Sequence, residues 1–462
     1  MNYASFIEAK QHYGALHGFE PSNIPSWLFP FQSYGAEWAI RKGRGALLFD
    51  CGLGKTPIQL TWADNIARAK GGRVLIATPL AVASQTIREA EKFGFDATKS
   101  RDGALDGQIV VTNYERLHYF QPSDFVGMVC DESSAIKNFN GKRKAQVTEF
   151  IRHIPYRLLC TATAAPNDFT ELGTSSEALG ELGHMDMLNR FFKNDQNTSD
   201  TRLFGRAAIS QGGPRSAGWR FKGHAEQQFW KWVCSWARAC RKPSDLGFAD
   251  DGFDLPPLEE REHIVQSKTL PEGFLFEVAA SNFQEEREEC RRTIRERCEK
   301  AAELVAGTQE PSVTWCHLND EGDLLEEIIS GSRQISSAVS DDEREEIYEA
   351  FSSGQLKDLV IKDKIGAWGL NWQHCGHVVR FVNHSFEADY QAVRRCWRFG
   401  RKGRVLVDRI YTEGQRPIAE NLARKAEAAS KMFTQLVAQM NDAMKLSKLQ
   451  YNKKIEVPSW LF

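Results

Sequence analysis

The stretch ALLFDCGLGKTPIQLTWADNIARA, residues 46–69, decides the fold of this chain. It opens with an apolar run, continues through a loop with glycines at positions 52 and 54, and ends in a segment of helical character. A strand, a glycine-rich loop and a helix in this order form a building unit of α/β proteins. Because the apolar run is continuous and does not alternate, it predicts a parallel strand covered on both faces.

The same pattern recurs in two separate parts of the chain. In the first part, the further apolar runs are RVLIA (73–77), IVVT (109–112), MVC (128–130) and RLLC (157–160). In the second part, they are SVTWC (312–316), DLVI (358–361), HVVRFV (377–382) and VLVDRIY (405–411). The predicted fold class is α/β, with two parallel-sheet lobes and a helical basic insert between them. The predicted domains are an N-terminal lobe (1–166), the insert and its linker (167–260), a C-terminal lobe (261–447) and a tail (448–462).

Composition excludes several classes of protein. The 462 residues contain 59 Lys and Arg against 61 Asp and Glu, a net charge of −2, so nucleic-acid binding must rest on local patches. No run reaches the roughly 18 uncharged apolar residues of a membrane span, and the N-terminus lacks the pattern of a secretory signal. Ten scattered cysteines without a CxxC pair favour a reducing compartment. We therefore expect a cytoplasmic protein with no membrane partner.

The loop DCGLGKT (50–56), called the phosphate loop below, has the features of a phosphate-binding site. Gly52 and Gly54, on either side of Leu53, allow a tight turn that points backbone N–H groups at phosphate oxygens. Lys55 would reach the β- and γ-phosphates, and the Thr56 hydroxyl would bind Mg²⁺. The strict pattern GxxxxGK[ST] is not met, because phenylalanine stands at the first glycine position. The alternative is a chance Gly-Lys-Thr turn.

An acidic pair follows the apolar run MVC. Asp131 would hold Mg²⁺ at the end of its strand, as nucleotide hydrolases require. Glu132, one residue on, would orient and deprotonate the attacking water. Alone, such a pair is more often a helix cap, but its position after a phosphate loop favours catalysis.

GLGKT and DESSAIKN (131–138) together resemble helicase superfamily two, specifically its Swi/Snf-type DNA translocase branch with a DEAD/DEAH-like box. The resemblance extends over both lobes. It implies two RecA-like lobes, ATP and Mg²⁺ bound in the cleft between them, and hydrolysis coupled to movement on nucleic acid. The compact chain resembles phage or bacterial members, so the expected location is the cytoplasm of a bacterial or phage-infected cell.

Further motifs carry over from this resemblance. FQSYGAEW (31–38) is similar to the segment whose glutamine reads adenine, which makes Gln32 the candidate. Four other segments resemble motifs that touch nucleic acid or couple hydrolysis to movement, namely 78–94, 112–117, 160–168 and 364–372. QAVRRCWRFGRKGR (391–404) resembles the last motif of the family. The residues that match are Thr78, Pro79, Thr112, Asn113, Thr161, Thr163, Gly369, Asn371, Gln391 and Arg401.

The last motif also supplies two candidate catalytic arginines. Arg395 and Arg398 stand three residues apart, a spacing that predicts one helical face. An arginine brought to a transferring phosphoryl group neutralises its developing charge. The resemblance makes Arg398 the arginine finger and Arg395 its companion on the γ-phosphate. The alternative is a solvated basic face, and for Arg401 a surface turn and a DNA contact are equally supported.

This sequence departs from the family pattern at three places. Ser134 replaces the histidine of DEAH, Ala162 and Ala164 replace a glycine and a proline, and Arg401 replaces a glutamine. These replacements concern the coupling of the ATP site to the other lobe and the branch of the superfamily that the chain resembles.

The insert and the repeated hexapeptide carry two more expectations. Between residues 202 and 242, nine Lys and Arg stand against one acidic residue, with seven Phe and Trp among them. The aromatics favour a small core, whereas the basic residues predict a surface that follows a nucleic-acid backbone. IPSWLF (24–29) is expected beside the adenine pocket. Its near-copy VPSWLF (457–462) is expected to dock on the protein itself, or to bind a replication factor as sliding-clamp peptides do.

The function that these residues predict is a nucleic-acid-stimulated ATPase that acts as a DNA translocase or helicase. DNA, duplex or single-stranded, is the expected partner, with replication or recombination factors as further candidates. One alternative is an RNA helicase, in which the same core clamps RNA. Another is a nucleic-acid- or partner-binding module with a vestigial ATPase.

Overall fold

The computed structural model describes residues 16–136, 141–163, 169–194, 219–267, 283–366 and 371–448. The chain divides into two compact units. The first contains residues 1–250 and 428–462, and the second contains residues 251–427. The described part of the predicted insert, up to residue 250, therefore belongs to the first unit and not to a separate one.

Seven parallel strands form the central sheet of the first unit, in the order β3-β4-β2-β5-β6-β1-β9, and β7 and β8 form a separate antiparallel pair. The strands are β1 (Arg44–Phe49), β2 (Arg73–Thr78), β3 (Ala97–Lys99), β4 (Ile109–Asn113), β5 (Phe125–Asp131), β6 (Tyr156–Cys160), β7 (Phe192–Asn194), β8 (Trp219–Phe221) and β9 (Ala237–Cys240). All five strands predicted for this lobe are confirmed. The sheet also contains β3 and β9, which are too short to give an apolar run.

The described helices of the first unit connect these strands. They are α1 (Pro30–Lys42), α2 (Lys55–Lys70), α3 (Ala83–Phe93), α4 (Lys142–Ile151), α5 (Leu172–Leu179), α6 (His184–Phe191) and α7 (Ala225–Trp236). Helix α2 is buried over most of its length, from Pro57 to Ala67, because it packs against both the sheet and α1. Its Trp62 ring is fully buried and donates a hydrogen bond to the carbonyl of Ala39 at 3.2 Å.

The aromatic residues of the insert that lie in the described ranges pack into a core, as expected. Trp230, Trp232 and Trp236 of α7 are buried, and the ring of Trp232 lies 5.4 Å from that of Phe191. The basic residues are more divided. Arg238 stacks over Trp38 and Arg241 stacks over Phe433, so these two contact the protein itself, whereas Lys242 is largely exposed and pairs with Asp250. Lys231 is exposed, and residues 195–218, with three of the nine basic residues, lie outside the described part of the chain.

Six parallel strands form the sheet of the second unit, in the order β10-β15-β14-β11-β13-β12. The strands are β10 (Leu258–Val265), β11 (Ser312–Cys316), β12 (Arg333–Ile335), β13 (Asp358–Lys362), β14 (His377–Phe381) and β15 (Val405–Thr412). The helices are α8 (Phe283–Arg292), α9 (Ile294–Ala306), α10 (Asn319–Ile328), α11 (Asp341–Ser352), α12 (Asp363–Gly366), α13 (Phe386–Cys396) and α14 (Arg416–Lys448), which continues into the residues grouped with the first unit. All four predicted strands are confirmed. The predicted two-sheet parallel α/β class is therefore correct.

Local signals in the second unit agree with the structure except at one edge. Ser340 stands three residues before Glu343, a spacing typical of a helix start, and its hydroxyl accepts a hydrogen bond from the Glu343 amide at 3.2 Å, which caps α11. The acidic stretch expected to be a linker up to residue 260 instead ends inside the edge strand β10. There, Glu260 forms an ion pair with Arg409 of the neighbouring strand β15. An edge strand has one side open to solvent, so charged side chains are accommodated in it. None of the helices in the described ranges combines the length and apolar character needed to cross a membrane.

Candidate functional site

The phosphate loop lies at the carboxyl end of β1. Gly52 and Gly54 have φ angles of 87° and 71°, which side chains rarely tolerate, and α2 begins immediately afterwards at Lys55. The Lys55 ammonium donates hydrogen bonds to the carbonyls of Phe49 at 3.1 Å and Asp50 at 3.3 Å. The lysine therefore lies over the loop, beside the unpaired N–H groups of the helix start, where an anion is favoured.

Gln32 joins α1 to this loop. Its Nε2 donates to the carbonyl of Leu53 at 3.0 Å, and its Oε1 accepts from the amide of Phe29 at 3.1 Å. The φ angle of Gly54 favours glycine, and a Cβ there would lie 2.2 Å from Gln32 Nε2, so a side chain at this position would displace the Gln32 amide. Trp27 of the hexapeptide stacks on Phe93 of α3 at 4.2 Å. Recognition of adenine by Gln32 remains a prediction.

Asp131 ends β5 and is held in place from two directions. Its Oδ1 accepts a hydrogen bond from Gln59 of α2 at 2.6 Å, and its backbone carbonyl accepts one from the Tyr114 hydroxyl at 2.7 Å. Burial, and then the neighbouring carboxylate of Glu132, raise the pKa of Asp131 to about 6, against the smaller opposing effects of Gln59 and Lys55.

Glu132 is strained and buried. Its φ angle of 47° is the only positive value for a non-glycine residue in the described part of the chain. Such a conformation costs on the order of 1–3 kcal/mol and is concentrated at functional sites. Its Oε2 is buried and has no hydrogen-bond partner among the described residues. A carboxylate oxygen kept in this condition is suited to accept a proton or a hydrogen bond from a bound molecule.

The acidic pair also fits a magnesium ion. Two adjacent carboxylates, one with an unpartnered oxygen, supply the hard oxygen ligands that Mg²⁺ prefers. Burial and the charge of Glu132 both disfavour an ionised Asp131, and a divalent cation bound here would favour the ionised carboxylates. Asp131 and Thr56 are the residues that would hold it.

In the first unit, the residues predicted to couple hydrolysis to movement or to contact nucleic acid lie together at the carboxyl-terminal ends of the strands. Thr78 and Asn113 are paired in register at the ends of β2 and β4, and Asp131 is paired with Cys160. Parallel strands place their carboxyl ends at the same edge, so residues distant in sequence come together there. Besides Thr78 and Asn113, the predicted residues at or just beyond this edge are Pro79, Thr112, Thr161 and Thr163. Ser134, at the position of the family's histidine, is also buried there.

In the second unit, the predicted pair of catalytic arginines does not share a helical face. Helix α13 ends at Cys396, and Trp397 leaves the helical conformation with φ −82° and ψ 83°. Its indole donates to the carbonyl of Pro256 at 2.7 Å, which anchors the chain in this new direction. Arg395 is inside the helix, whereas Arg398 follows it in a non-helical segment. The expectation of one helical face is thus wrong.

The other residues of this motif have clear positions. Gln391 is buried, and its Oε1 accepts a hydrogen bond from Arg395 Nη2 at 2.9 Å. Arg401 donates to the Gln373 carbonyl at 2.8 Å and pairs with Glu310 at 3.1 Å, so the structure gives its guanidinium an internal role. Asn371 is exposed, and Gly369 lies outside the described residues.

Two sets of residues at these edges were missed from the sequence. Gln59 stands four residues after Lys55, one helical turn along α2, and this spacing could have indicated it. In the second unit, the buried Arg380 pairs with Asp363 and with Asp389, at 3.2 Å for the latter. These residues belong to three separate segments of the chain, so the sequence carried no signal for their contact.

A histidine completes this second set. His317 follows β11, and its Nδ1 lies 3.1 Å from Asp363. Burial opposes protonation, but the hydrogen bond and charge of Asp363 raise the pKa of His317. Although burial disfavours its charged form, Asp363 has its pKa held well below the usual range by Arg380 and His317. The carboxyl edge of the second sheet is therefore a dense network of ion pairs.

Comparisons with known proteins bear mainly on the second unit. Residues 303–400 match the model of the helicase conserved C-terminal domain. The comparison with curated proteins gives no match. Among solved structures, the chain is similar to the Sulfolobus solfataricus SWI2/SNF2 ATPase core in complex with dsDNA, with 17% identity, a TM-score of 0.40 and coverage of 95% of this chain and 99% of that one.

A second solved structure is the Mycobacterium smegmatis helicase Lhr bound to ssDNA and AMP-PNP. The identity is 16%, the TM-score is 0.49, and the alignment covers 87% of this chain and 48% of that chain, about half its length. Gln391, Arg395 and Arg398 all lie inside the segment matched by the family model. By its sequence, the second unit of this protein is similar to the helicase conserved C-terminal domain.

Proposed function

We propose that this protein binds and hydrolyses ATP and uses the reaction to move along or to separate nucleic acid, with DNA as its substrate. The observation that carries the proposal is the hydrogen bond from Gln59 to Asp131. It connects the helix that begins with Lys55 to the strained acidic pair at the end of β5. This bond supports the proposal because it joins the helix of Lys55, assigned here to the phosphates, to the strand of Glu132, assigned here to the attacking water.

The residues of the first unit take the following roles. Gly52, Gly54 and the start of α2 hold the phosphate chain through backbone N–H groups, and Lys55 balances its charge. Glu132 accepts a proton from the attacking water, for which its unpartnered oxygen is suited. Mg²⁺, when bound at Asp131 and Thr56, would neutralise charge on the phosphates.

The second unit supports the helicase part of the proposal through its match to the helicase C-terminal domain. Within that match, we assign Arg398 to the developing charge on the γ-phosphate and Arg395 to a supporting role. The hydrogen bond from Arg395 to Gln391 orients its guanidinium. We assign Thr78, Thr112, Asn113, Thr161, Thr163 and Asn371 to coupling and to contacts with the nucleic-acid backbone. DNA is favoured over RNA because two segments, DESSAIKN (131–138) and GLNW (369–372), resemble the Swi/Snf-type branch.

The proposal is tested by ATP turnover of the full chain with duplex DNA, single-stranded DNA or RNA at one salt concentration. Stimulation by DNA and not RNA is expected. Lys55→Ala should abolish turnover and weaken ATP binding, whereas Glu132→Gln should abolish turnover and keep ATP bound. Lys70→Ala, which removes a lysine from the other end of α2, is the matched control. Turnover by Glu132→Gln within tenfold of the unmodified protein would contradict its assigned role.

A further inference from the structure

A basic cavity lies at the amino-terminal ends of strands β1 and β6, whereas the phosphate loop follows the carboxyl-terminal end of β1. It has a volume of about 220 Å³ and is lined by Arg44, Thr148, Arg152, Arg157, Glu177 and Gly180. Arg44 is the first residue of β1 and is paired in register with Arg157 of β6. The phosphate loop follows the other end of β1, five residue steps or roughly 16 Å away. The cavity is therefore separate from the candidate nucleotide site.

Two guanidinium groups face the same point in this cavity. A Cβ placed on Gly180 would lie 2.8 Å from Nη1 of Arg157 and 3.6 Å from Nη1 of Arg44. Within the described ranges, neither arginine forms an ion pair with a carboxylate. The carboxylate in the lining, Glu177, is already paired with Lys144 at 3.0 Å. The third arginine of the lining, Arg152, pairs with Glu149 at 3.2 Å. Like charges on neighbouring strands repel, so Arg44 and Arg157 are the two positive charges of the cavity that no carboxylate of the described residues balances.

Arg157 is fixed in position by hydrogen bonds that leave some of its N–H groups available to a ligand. It is buried, and its nitrogens donate to the carbonyls of Ile154 at 2.8 Å, Ala178 at 3.1 Å and Arg152 at 2.6 Å. These bonds use three of its five N–H groups. Burial, and then the charges of Arg44 and Arg152, lower the pKa of Arg157 to about 10. A bound anion would relieve this repulsion.

Thr148 supplies a further polar group. Its side chain is buried, and its Oγ1 has no hydrogen-bond partner in the described part of the chain. A buried hydroxyl without a partner costs free energy, which a ligand oxygen at this position would recover. Gly180 leaves the space open, with a φ angle of 81° that disfavours any side chain.

We propose that this cavity binds a small phosphate-type oxyanion, such as inorganic phosphate or pyrophosphate, between Arg44, Arg152, Arg157 and Thr148. The volume lies below the roughly 300–1,000 Å³ of pockets for drug-sized ligands, which excludes a nucleotide and suits a small ion. Guanidinium groups bind phosphate oxygens through paired, charge-assisted hydrogen bonds. The bound ion stabilises the first unit, and this role does not depend on ATP hydrolysis.

The test is thermal unfolding of the full chain without nucleotide or Mg²⁺. Inorganic phosphate is titrated against sodium chloride of equal ionic strength. Arg44→Gln removes one side of the cavity. The Nε of Arg44 donates a hydrogen bond to the carbonyl of Pro155 at 2.9 Å. The matched control is Arg73→Gln, because Arg73 is likewise the first residue of a strand in this sheet and its Nε donates to the carbonyl of Leu105 at 2.9 Å. Lys55→Ala removes the alternative phosphate site at the loop.

Phosphate should raise the Tm of the unmodified protein, Arg73→Gln and Lys55→Ala by a similar few degrees. The dissociation constant of Arg44→Gln should be at least tenfold weaker, and that of Thr148→Val several-fold weaker. Without phosphate, Arg44→Gln should unfold at the same or a higher temperature, because one repelling charge is gone. If Arg44→Gln does not fold, Arg152→Gln replaces it, with the same expectation.

Three outcomes would overturn the proposal. A shift that is lost in Lys55→Ala but kept in Arg44→Gln would place phosphate in the loop alone and leave the nucleotide site intact. Equal shifts in every variant would indicate a non-specific salt effect. In a parallel titration with a DNA oligonucleotide, a Tm shift that is lost in Arg44→Gln and that inorganic phosphate does not produce would make the cavity a nucleic-acid contact.

Discussion

Gln32 donates a hydrogen bond from Nε2 to the backbone carbonyl of Leu53 at 3.0 Å, which ties α1 to the phosphate loop. The same amide accepts a hydrogen bond from the Phe29 backbone, so both of its ends are engaged. Any ligand that takes over the Gln32 amide must therefore change a contact of the loop that holds the phosphates. This relationship gives a physical route by which base recognition could influence phosphate binding.

The first prediction tests this route with two glycines at the two ends of α2. Gly54→Ala places a methyl group 2.2 Å from Gln32 Nε2 in a left-handed conformation, whereas Gly71→Ala has the same backbone strain with nothing within 4 Å. Each left-handed alanine should cost about 1–2 kcal/mol of unfolding free energy. Only Gly54→Ala should also lose ATP binding at least tenfold, measured by calorimetry. Equal loss of ATP binding in both variants would show that the contact with Gln32 is irrelevant.

The second prediction concerns the pH dependence of stability. Because the pKa of Asp131 rises in the folded state from 3.8 to about 6, the stability from its protonation is present below pH 4 and is lost as pH rises through about 6. Between these limits, the loss is at most roughly 3 kcal/mol. Asp131→Asn should remove this dependence and be the more stable protein at pH 8, while losing turnover.

The measurement for this variant is urea unfolding at several pH values from 4 to 8. Asp106→Asn, at an exposed position in the same unit, is the control and should parallel the unmodified protein. An unfolding free energy for Asp131→Asn that also runs parallel to the unmodified protein would contradict the buried, proton-binding carboxyl.

The third prediction separates Arg398 from its basic neighbours. If Arg398 neutralises charge on the transferring phosphoryl group, Arg398→Ala should lower kcat on the order of 10³-fold and leave ATP affinity nearly unchanged. Arg404→Ala is the control, because Arg404 is exposed and pairs with Glu259 at 2.7 Å. Normal DNA-stimulated turnover in Arg398→Ala would remove the arginine from catalysis.

The fourth prediction concerns the ion-pair network of the second unit. Arg380 is fully buried, so Asp363→Ala leaves its charge only partly compensated by Asp389 and should cost about 3–5 kcal/mol of unfolding free energy. Replacing both residues, in Arg380→Met with Asp363→Leu, should recover most of that loss. Glu259→Gln, which breaks two exposed pairs, should lower the unfolding free energy far less than Asp363→Ala does, because solvent screens exposed charges. The unfolding free energies of the three variants are measured by urea unfolding. A double variant less stable than Asp363→Ala would contradict this account.

The sequence by itself determined the elements of the two sheets and the local chemistry of the phosphate loop. Continuous apolar runs identify buried parallel strands, and glycines before Lys55 identify a tight turn at a helix start, because these properties depend on neighbours in the chain. The Ser340 cap and the long amphipathic helix Arg416–Lys448 also follow from local signals, since a cap depends on residues three apart and a helix on its own hydrophobic period.

The tertiary structure alone decided which distant residues meet. The contact of Gln59 with Asp131, the end of α13 before Arg398, and the pairing of Arg44 with Arg157 each depend on strand order or on a side chain from another segment. Strand β10 contains several charged residues, and Arg297 and Glu321 form a buried ion pair, although the polarity of these side chains favours loops and exposed positions. A charge is tolerated at such places when a partner from elsewhere in the fold compensates it, and that partner is not written beside it in the sequence.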